Sequence, residues 1–379
     1  MIMANGSILV VGGEDGSNGT PVPTLELLPT SGPVIWCDWL NRTDPLNLYP
    51  YLAVVPSGVF VAYYNEARIL DEKTFATIKT LPNIPGAVNN FLGGRTYPLE
   101  GTAVLMPQIA PYSDPLTFMM CGGSTPYQGD ALDNCVSIQP EAANPQWVIE
   151  RMPSKRVISC MTALPDGTYL ILNGAQQGQA GFGLATNPNL NAVLYDPSKP
   201  VGARMSVMAN TTVARLYHSE AILLQDGRVM VSGSDPQDNV HPEEYRVEVF
   251  VPPYLMNSPT RPTFKLGTTD WAYGQSVSFT LGAGASSNIR VSLMGGDSST
   301  HGNSMGQRTF FPAVTCSGSS CTVTAPPNAH ICPPGWFQMF VLDGPTPSIS
   351  TYVRIGGDPA QLGNWPNFPD FSTPGIGPV

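Results

Sequence analysis

Three side chains in this 379-residue chain could act together on a metal. Tyr217 and His218 are adjacent, within Arg215-Leu216-Tyr217-His218-Ser219. A phenol and an imidazole on neighbouring residues can reach one point only where a strand is just beginning, because along a regular strand they would face opposite ways. An apolar run, the turn Asp226-Gly227 and a second apolar run follow, which together read as a β-hairpin. The pair therefore sits at a hairpin mouth, where a β-scaffold carries its functional residues. The third side chain is His301, in Asp297-Ser298-Ser299-Thr300-His301-Gly302-Asn303, a loop after a strand that is free to reach another domain. Two imidazoles and a phenolate make a nitrogen and oxygen set suited to Cu(II). The other two histidines, His241 and His330, lie in proline-flanked loops and read as surface residues.

The elements that must hold such a site are short strands. Charged residues make up 12% of the chain, while glycine (38) and proline (39) are abundant. That composition favours many strands and turns over long helices. No segment sustains a 3.6-residue apolar period between caps, and none approaches the roughly 20 apolar residues of a membrane span. A net charge of −10 argues against a nucleic-acid partner, since an acidic surface repels phosphate.

One unit recurs: an apolar strand, a turn ending in glycine, a second apolar strand, then a small polar loop. The turns are Asn5-Gly6, Ser57-Gly58, Asp166-Gly167 and Asp226-Gly227, and the gap between the middle two is about twice the others. A fifth unit fills that gap, with strands over 102–106 and 116–123 joined by a longer loop. Outer strands follow the hairpins, as at 191–196 and 245–250. Four-stranded units at roughly 50-residue intervals are the signature of a kelch-type β-propeller, whose blades bury their faces by stacking. A single irregular β-sandwich does not account for five units in phase.

The rhythm changes after Pro252-Pro253-Tyr254-Leu255. Short alternating strands between Pro262 and Ile355 read as an immunoglobulin-like sandwich of about a hundred residues. The expected domains are thus a propeller over 1–255, a sandwich over 262–357, and an irregular Gly-, Pro- and Asn-rich tail over 358–379. Of seven cysteines, Cys316 and Cys321 flank a loop short enough to staple, and Cys121 and Cys135 bracket another turn-rich stretch. Cys37, Cys160 and Cys332 have no evident partner. Sequons stand at Asn5, Asn18, Asn41 and Asn210. Disulfide-like pairs with sequons point to an oxidising, extracellular setting. The start, Met1-Ile2-Met3-Ala4-Asn5-Gly6, lacks a basic segment and a long apolar run and so is not a signal peptide; it begins inside a strand-turn-strand unit, as a truncated secreted protein would.

These residues carry a resemblance. Arg215-Leu216-Tyr217-His218-Ser219 with Asp226-Gly227-Arg228 resembles the axial tyrosine-histidine motif of the copper-radical oxidases, the glyoxal oxidase and galactose oxidase family. Ser299-Thr300-His301 with Met305-Gly306-Gln307-Arg308 is similar to that family's second copper histidine, delivered into the propeller axis by an early-set sandwich. Asn47-Leu48-Tyr49-Pro50, Arg95-Thr96-Tyr97-Pro98-Leu99, Asn173-Gly174-Ala175-Gln176, Ser232-Gly233-Ser234-Asp235-Pro236 and Phe250-Val251-Pro252-Pro253-Tyr254-Leu255 are similar to the glyoxal oxidase branch.

The resemblance implies a copper cofactor held by Tyr217, His218 and His301, with Tyr217 taking the substrate's hydroxyl proton. It implies a small aldehyde (glyoxal, methylglyoxal) or primary alcohol as substrate, O₂ as acceptor and H₂O₂ as product, in a secreted monomer. Tyr97, from another blade, would line the channel. The family's radical resides on a tyrosine thioether-linked to a cysteine, in an Arg-aromatic-Tyr motif shortly before the Asn-Gly turn of its blade. That turn is here Asn5-Gly6, so the tyrosine would precede Met1 and its cysteine would come earlier still. Cys37 is a poor substitute. The expectation is an oxidase lineage whose chain, as written, lacks the Tyr-Cys pair and the N-terminal blades of a seven-bladed propeller, and is inactive. The rival is a non-catalytic secreted propeller that binds carbohydrate or protein. A sialidase-type hydrolase would need clustered arginines with an acid and a nucleophile, and no such cluster stands in the sequence.

Overall fold

The computed structural model describes all residues except 17–18, 31, 87–91, 127–128, 283–287, 297 and 363–379. Asn18, Asp297 and most of the tail therefore lie outside the described residues. The chain is nearly all strand. Its first part forms five successive antiparallel sheets, the blades of a propeller. Blade one is Ile8–Val11, Thr24–Leu28 and Ile35–Trp36, and blade two is Tyr51–Val55, Gly58–Tyr63, Glu66–Leu70 and Thr77–Thr80. Blade three is Gly101–Leu105, Phe118–Gly122, Leu132–Ile138 and Val148–Arg156. Blade four is Cys160–Ala163, Tyr169–Leu172, Asn191–Tyr195 and Met205–Asn210, and blade five is Ser219–Leu223, Val229–Gly233 and Glu248–Phe250.

The hairpin turns are made where the Asp-Gly pairs predict them. Asp166 Oδ1 accepts the Thr168 amide at 3.0 Å, and Asp226 Oδ1 accepts the Arg228 amide at 3.0 Å. The glycine between takes a left-handed φ, +98° at Gly167 and +81° at Gly227, which a side chain would resist. Between blades the faces are apolar and buried. Leu9, Leu25, Trp39 and Val61 fill the space between blades one and two. Phe60, Ile69, Met120 and Val136 do so between two and three, and Met119, Leu170, Val193, Ala221 and Val231 between three, four and five. Each blade thus borrows its core from its neighbour.

The second part is a two-sheet sandwich. A four-stranded sheet runs Phe264–Leu266, Ser276–Leu281, Ser320–Thr324, Val314–Ser317. It faces a larger sheet containing Ile289–Gly295, Thr309–Phe311, Gly335–Asp343 and Thr351–Ile355. Trp271, Phe279, Val291, Phe310, Val323 and Met339 close the space between them. The long loop of blade three contributes to this sheet: Gln108–Ile109 pairs in parallel with Thr309–Phe311. The propeller and the sandwich therefore share hydrogen-bonded backbone.

Cys121 is bonded to Cys135 and Cys316 to Cys321. Both are cross-strand pairs, so Cys121 and Cys135 lie directly opposite each other inside blade three as well as flanking a loop. Cys37, Cys160 and Cys332 are free and buried. The tail, expected to be irregular from residue 358, instead starts with a helical turn at Pro359–Leu362. The Asp358 carbonyl accepts the Gln361 and Leu362 amides, and Leu362 returns to pack beside Gly6.

A buried arginine stands at the entrance to each of blades three, four and five: Arg95, Arg156 and Arg215, each at most 1% exposed. Each donates to the carbonyl at the end of the second strand of its blade, namely Gly122, Asn173 and Gly233. Further carbonyls complete the set: Asn134 and Pro85 for Arg95, Asn191 for Arg156, Arg246 for Arg215. The planar fork of donors suits this role, because it ties the incoming chain to several carbonyls at once. At the same position before blade two stands Asn47, which donates to the Leu40 carbonyl at 2.6 Å. Replacing Arg156 by methionine keeps bulk but orphans the Asn173 and Asn191 carbonyls. Urea unfolding of Arg156→Met is expected to show a loss of about 3 kcal/mol or more, the cost of several unpaired buried acceptors.

Candidate metal centre

The arginine anchors set what reaches the axis. Two residues after each comes Tyr97, Ile158 and Tyr217, and two after Asn47 comes Tyr49. These side chains converge. Tyr217 precedes the blade-five strand that starts at Ser219, and Leu216 N donates to Ser234 Oγ at 2.8 Å, which fixes the entering backbone. His218 has φ +61°, so its ring does not turn to the opposite face as on a strand but stacks on Tyr217, with ring centroids 3.9 Å apart.

His301 arrives from the sandwich. Its ring centroid lies 5.5 Å from that of His218 and 5.6 Å from that of Tyr217. One of its faces stacks on Tyr49 at 4.3 Å, and Tyr97 meets it edge-on at 5.5 Å. The loop lies against the propeller backbone: Ala103 N donates to Gly302 O at 2.9 Å, and Asn303 Nδ2 to Pro50 O at 3.0 Å. A Cβ on Gly302 would fall 2.1 Å from Gly101 O, so this approach requires glycine. Tyr49, Ile158, His218 and His301 all hold left-handed φ values near +50° to +61°. Non-glycine residues so placed are sparse and gather where surroundings over-determine them.

The structure thus brings Tyr217, His218, His301 and Tyr97 together. His241 and His330 lie elsewhere: His241 Nδ1 contacts Asp238 at 2.6 Å, and His330 Nε2 contacts Glu72 at 2.9 Å, bridging sandwich and propeller. Cys37 lies in the core between blades one and two, its thiol directed at the Ile35 carbonyl.

Four residues of the site escape a reading of the sequence. Tyr49 is signalled by its place after the blade-two anchor. Glu100 and Glu220 carry no signal of their own, and Phe182 sits at the tip of a two-stranded hairpin, Ala175–Gly178 with Ala185–Pro188. Phe182 is half-exposed and meets Tyr217 and His218 edge-on at 5.2 and 5.4 Å. Glu100 Oε2 is 2.9 Å from His301 Nδ1, and Glu220 Oε2 accepts the Ser299 hydroxyl at 2.9 Å. Burial pushes both carboxyls up, while the His301 and Ser299 contacts pull them partway back. Burial, then the Tyr97 hydroxyl, pushes the Tyr217 phenol well up. Burial, then the nearby His301, lowers His218 below its ordinary 6.5, against the opposing pull of Asp235.

Two imidazoles and a phenol within one aromatic cleft fit Cu(II) by donor type. Among the described residues, no group of three or more His, Cys, Asp and Glu is placed to hold a metal ion.

Residues 1–254 match the glyoxal oxidase N-terminus family, and residues 261–355 match the galactose oxidase-like early set domain. A WSC domain-containing protein of Arthroderma benhamiae is 68% identical over 377 residues, covering 99% of this chain and 41% of that protein. Aldehyde oxidase GLOX of Vitis pseudoreticulata is 31% identical over 384 residues, covering 93% of this chain and 70% of that one. A galactose oxidase of Gibberella zeae is 27% identical over 252 residues, covering 63% of this chain and 35% of that one. A solved fungal alcohol oxidase of the AA5 family, in complex with copper, superposes with a TM-score of 0.74 at 18% identity, over 93% of this chain and 74% of that one; at that identity the likeness is one of fold. With a propeller and early-set sandwich that meet at this cleft, the chain belongs to the glyoxal oxidase family of copper-radical oxidases.

The lowered His218 affinity for protons gives a signed expectation. Its contribution to stability is fully present above the ordinary value of 6.5 and is lost as the pH falls through the lower folded value. In the metal-free protein, the His218 ring resonance should titrate below pH 6.5 by NMR. His301→Gln should move that midpoint upward, since one of its causes is removed.

Proposed function

We propose that this chain carries the copper-binding half of an oxidase that acts on small aldehydes, as their hydrates, or on primary alcohols. Two electrons and two hydrogens leave the substrate and O₂ takes them up as H₂O₂. The observation that carries this reading is the meeting of Tyr217 and His218 from blade five with His301 from the sandwich. His218 and His301 would hold copper through ring nitrogens and Tyr217 through its phenol oxygen. Copper, when bound, supplies one-electron redox capacity beside the substrate. Tyr217 Oη would receive the substrate's hydroxyl proton; a phenol whose proton is held as tightly as this one is a strong base once ionised. Tyr97 and Tyr49, whose rings meet edge-on at 5.8 Å, would line the approach with aromatic surface.

The proposed domains are the propeller over 1–255, the sandwich over 262–357 and the tail beyond. An extracellular setting is supported by two disulfides and by exposed sequon asparagines at Asn5, Asn41 and Asn210. We assign no residue of this chain to the Tyr-Cys radical pair: the free thiols of Cys37, Cys160 and Cys332 each point at a backbone carbonyl. The chain alone is therefore expected to bind Cu(II) without turning over.

Titration of the metal-free protein with Cu(II), followed by electron paramagnetic resonance, should give one Cu(II) signal that weakens at least ~10-fold in affinity in His218→Ala and in His301→Ala. No intense near-infrared radical band should appear, and H₂O₂ release from methylglyoxal should equal that of His301→Ala. An absence of Cu(II) binding would favour the alternative, a non-catalytic secreted propeller. A radical band with H₂O₂ release would show the second half of the cofactor to lie within this chain.

A further inference from the structure

Of the two histidines in the cleft, only one is locked. His218 Nδ1 is 4.0 Å from Asp235 Oδ2, beyond hydrogen-bond reach, and the His218 side chain is 41% exposed. His301 is 11% exposed, and its Nδ1 meets Glu100 Oε2 at 2.9 Å. We infer that Glu100 is the positioning residue of the metal centre: it fixes the His301 tautomer and ring orientation so that Nε2 presents its lone pair to the axis. The inference rests on the copper reading above for what Nε2 would bind, and for the tautomer on the Nδ1 contact with Glu100 acting as acceptor.

Glu100 is the residue before the first strand of blade three and is itself nearly inaccessible. Its backbone is pinned: its carbonyl accepts the Ile158 amide at 2.8 Å, and the following Gly101 N donates to the Arg95 carbonyl at 2.7 Å. These contacts fix the point from which the carboxylate reaches His301. With Glu100 Oε2 as the acceptor of the 2.9 Å contact, the proton of a neutral His301 sits on Nδ1. Tyr49 against the ring face and Tyr97 against the ring edge remove the freedom to rotate about that bond. Nε2 is then the one polar atom of the ring left to face Tyr217 and His218. The second carboxylate, Glu220, grips the same loop two residues earlier through Ser299. Glu100 and Glu220 come from different blades, three and five, so the sandwich loop is held across the axis. Carboxylates that orient metal-bound imidazoles in this way commonly change metal affinity about 10–100-fold when removed.

The test has one arm without copper. Long-range ¹⁵N–¹H correlation spectra of the metal-free protein read the His301 tautomer directly. The expected result is a proton on Nδ1, with a mixture of tautomers in Glu100→Ala. In the second arm, Cu(II) affinity by calorimetry should fall about 10–100-fold in Glu100→Ala and less in Glu100→Gln, which keeps an acceptor oxygen. A proton on Nε2 of the unaltered protein would overturn the inference without any variant. So would a Glu100→Ala protein that keeps both the wild-type tautomer and the wild-type affinity. Failure of the unaltered protein to bind Cu(II) would sink the copper reading instead, and the tautomer arm alone would then decide for or against Glu100.

Discussion

Everything in the site depends on one docked loop. Residues 298–308 leave the sandwich, cross to the propeller axis and return. The crossing is held by buried polar groups that would be costly to leave unpaired. Arg308, 4% exposed, donates to Gln108 Oε1 and to the Val54 carbonyl, reaching blades two and three at once. Asn303 donates to the Pro50 carbonyl, and Gly302 lies flat against the first strand of blade three. Pulling the sandwich away would strand a guanidinium and several carbonyls together. An unpaired buried polar group costs roughly 1–3 kcal/mol, and more where it is charged, so the loop is held as part of the propeller.

The propeller meets this loop with a repeated device. Arg95, Arg156 and Arg215 each tie the chain entering a blade to the carbonyl that ends its second strand. The tie sets the height at which the next residues reach the axis. Because the device repeats, Tyr97, Ile158 and Tyr217 arrive at one level, and Tyr49 joins them behind Asn47. The aromatic cleft is thus a by-product of blade architecture, and chemistry enters where a blade departs from the pattern. Blade five places His218 after its tyrosine in a left-handed conformation, where blade four has Ser159.

The cleft is asymmetric in exposure and in contacts. The His301 side is buried, backed by Glu100 and Glu220 and covered by Tyr49. The His218 side is half-exposed and bordered by Phe182 on its hairpin, itself tied by Ala180 N to the Pro98 carbonyl and by Gly183 N to the Pro236 carbonyl.

Much of this was legible in the sequence because it is written in local rules. Asp-Gly and Asn-Gly turns require a positive φ, so Gly167 and Gly227 mark hairpins, and their spacing marks blades. Alternating apolar residues after Pro262 mark a sandwich. Tyr217 and His218 stood out because two ligating side chains share a strand start, and the motif around His301 resembles a known one. Other features were decided by the tertiary structure alone. Gln108–Ile109 reads as loop, yet it joins the sandwich sheet because the sandwich offers an unpaired edge beside it. Pro359–Leu362 forms a helical turn where composition promised none. Glu100 looks like any acidic residue before a strand. It becomes part of the site only because a loop some 200 residues later brings His301 to it, and a contact between distant segments leaves no trace in the spacing of either one.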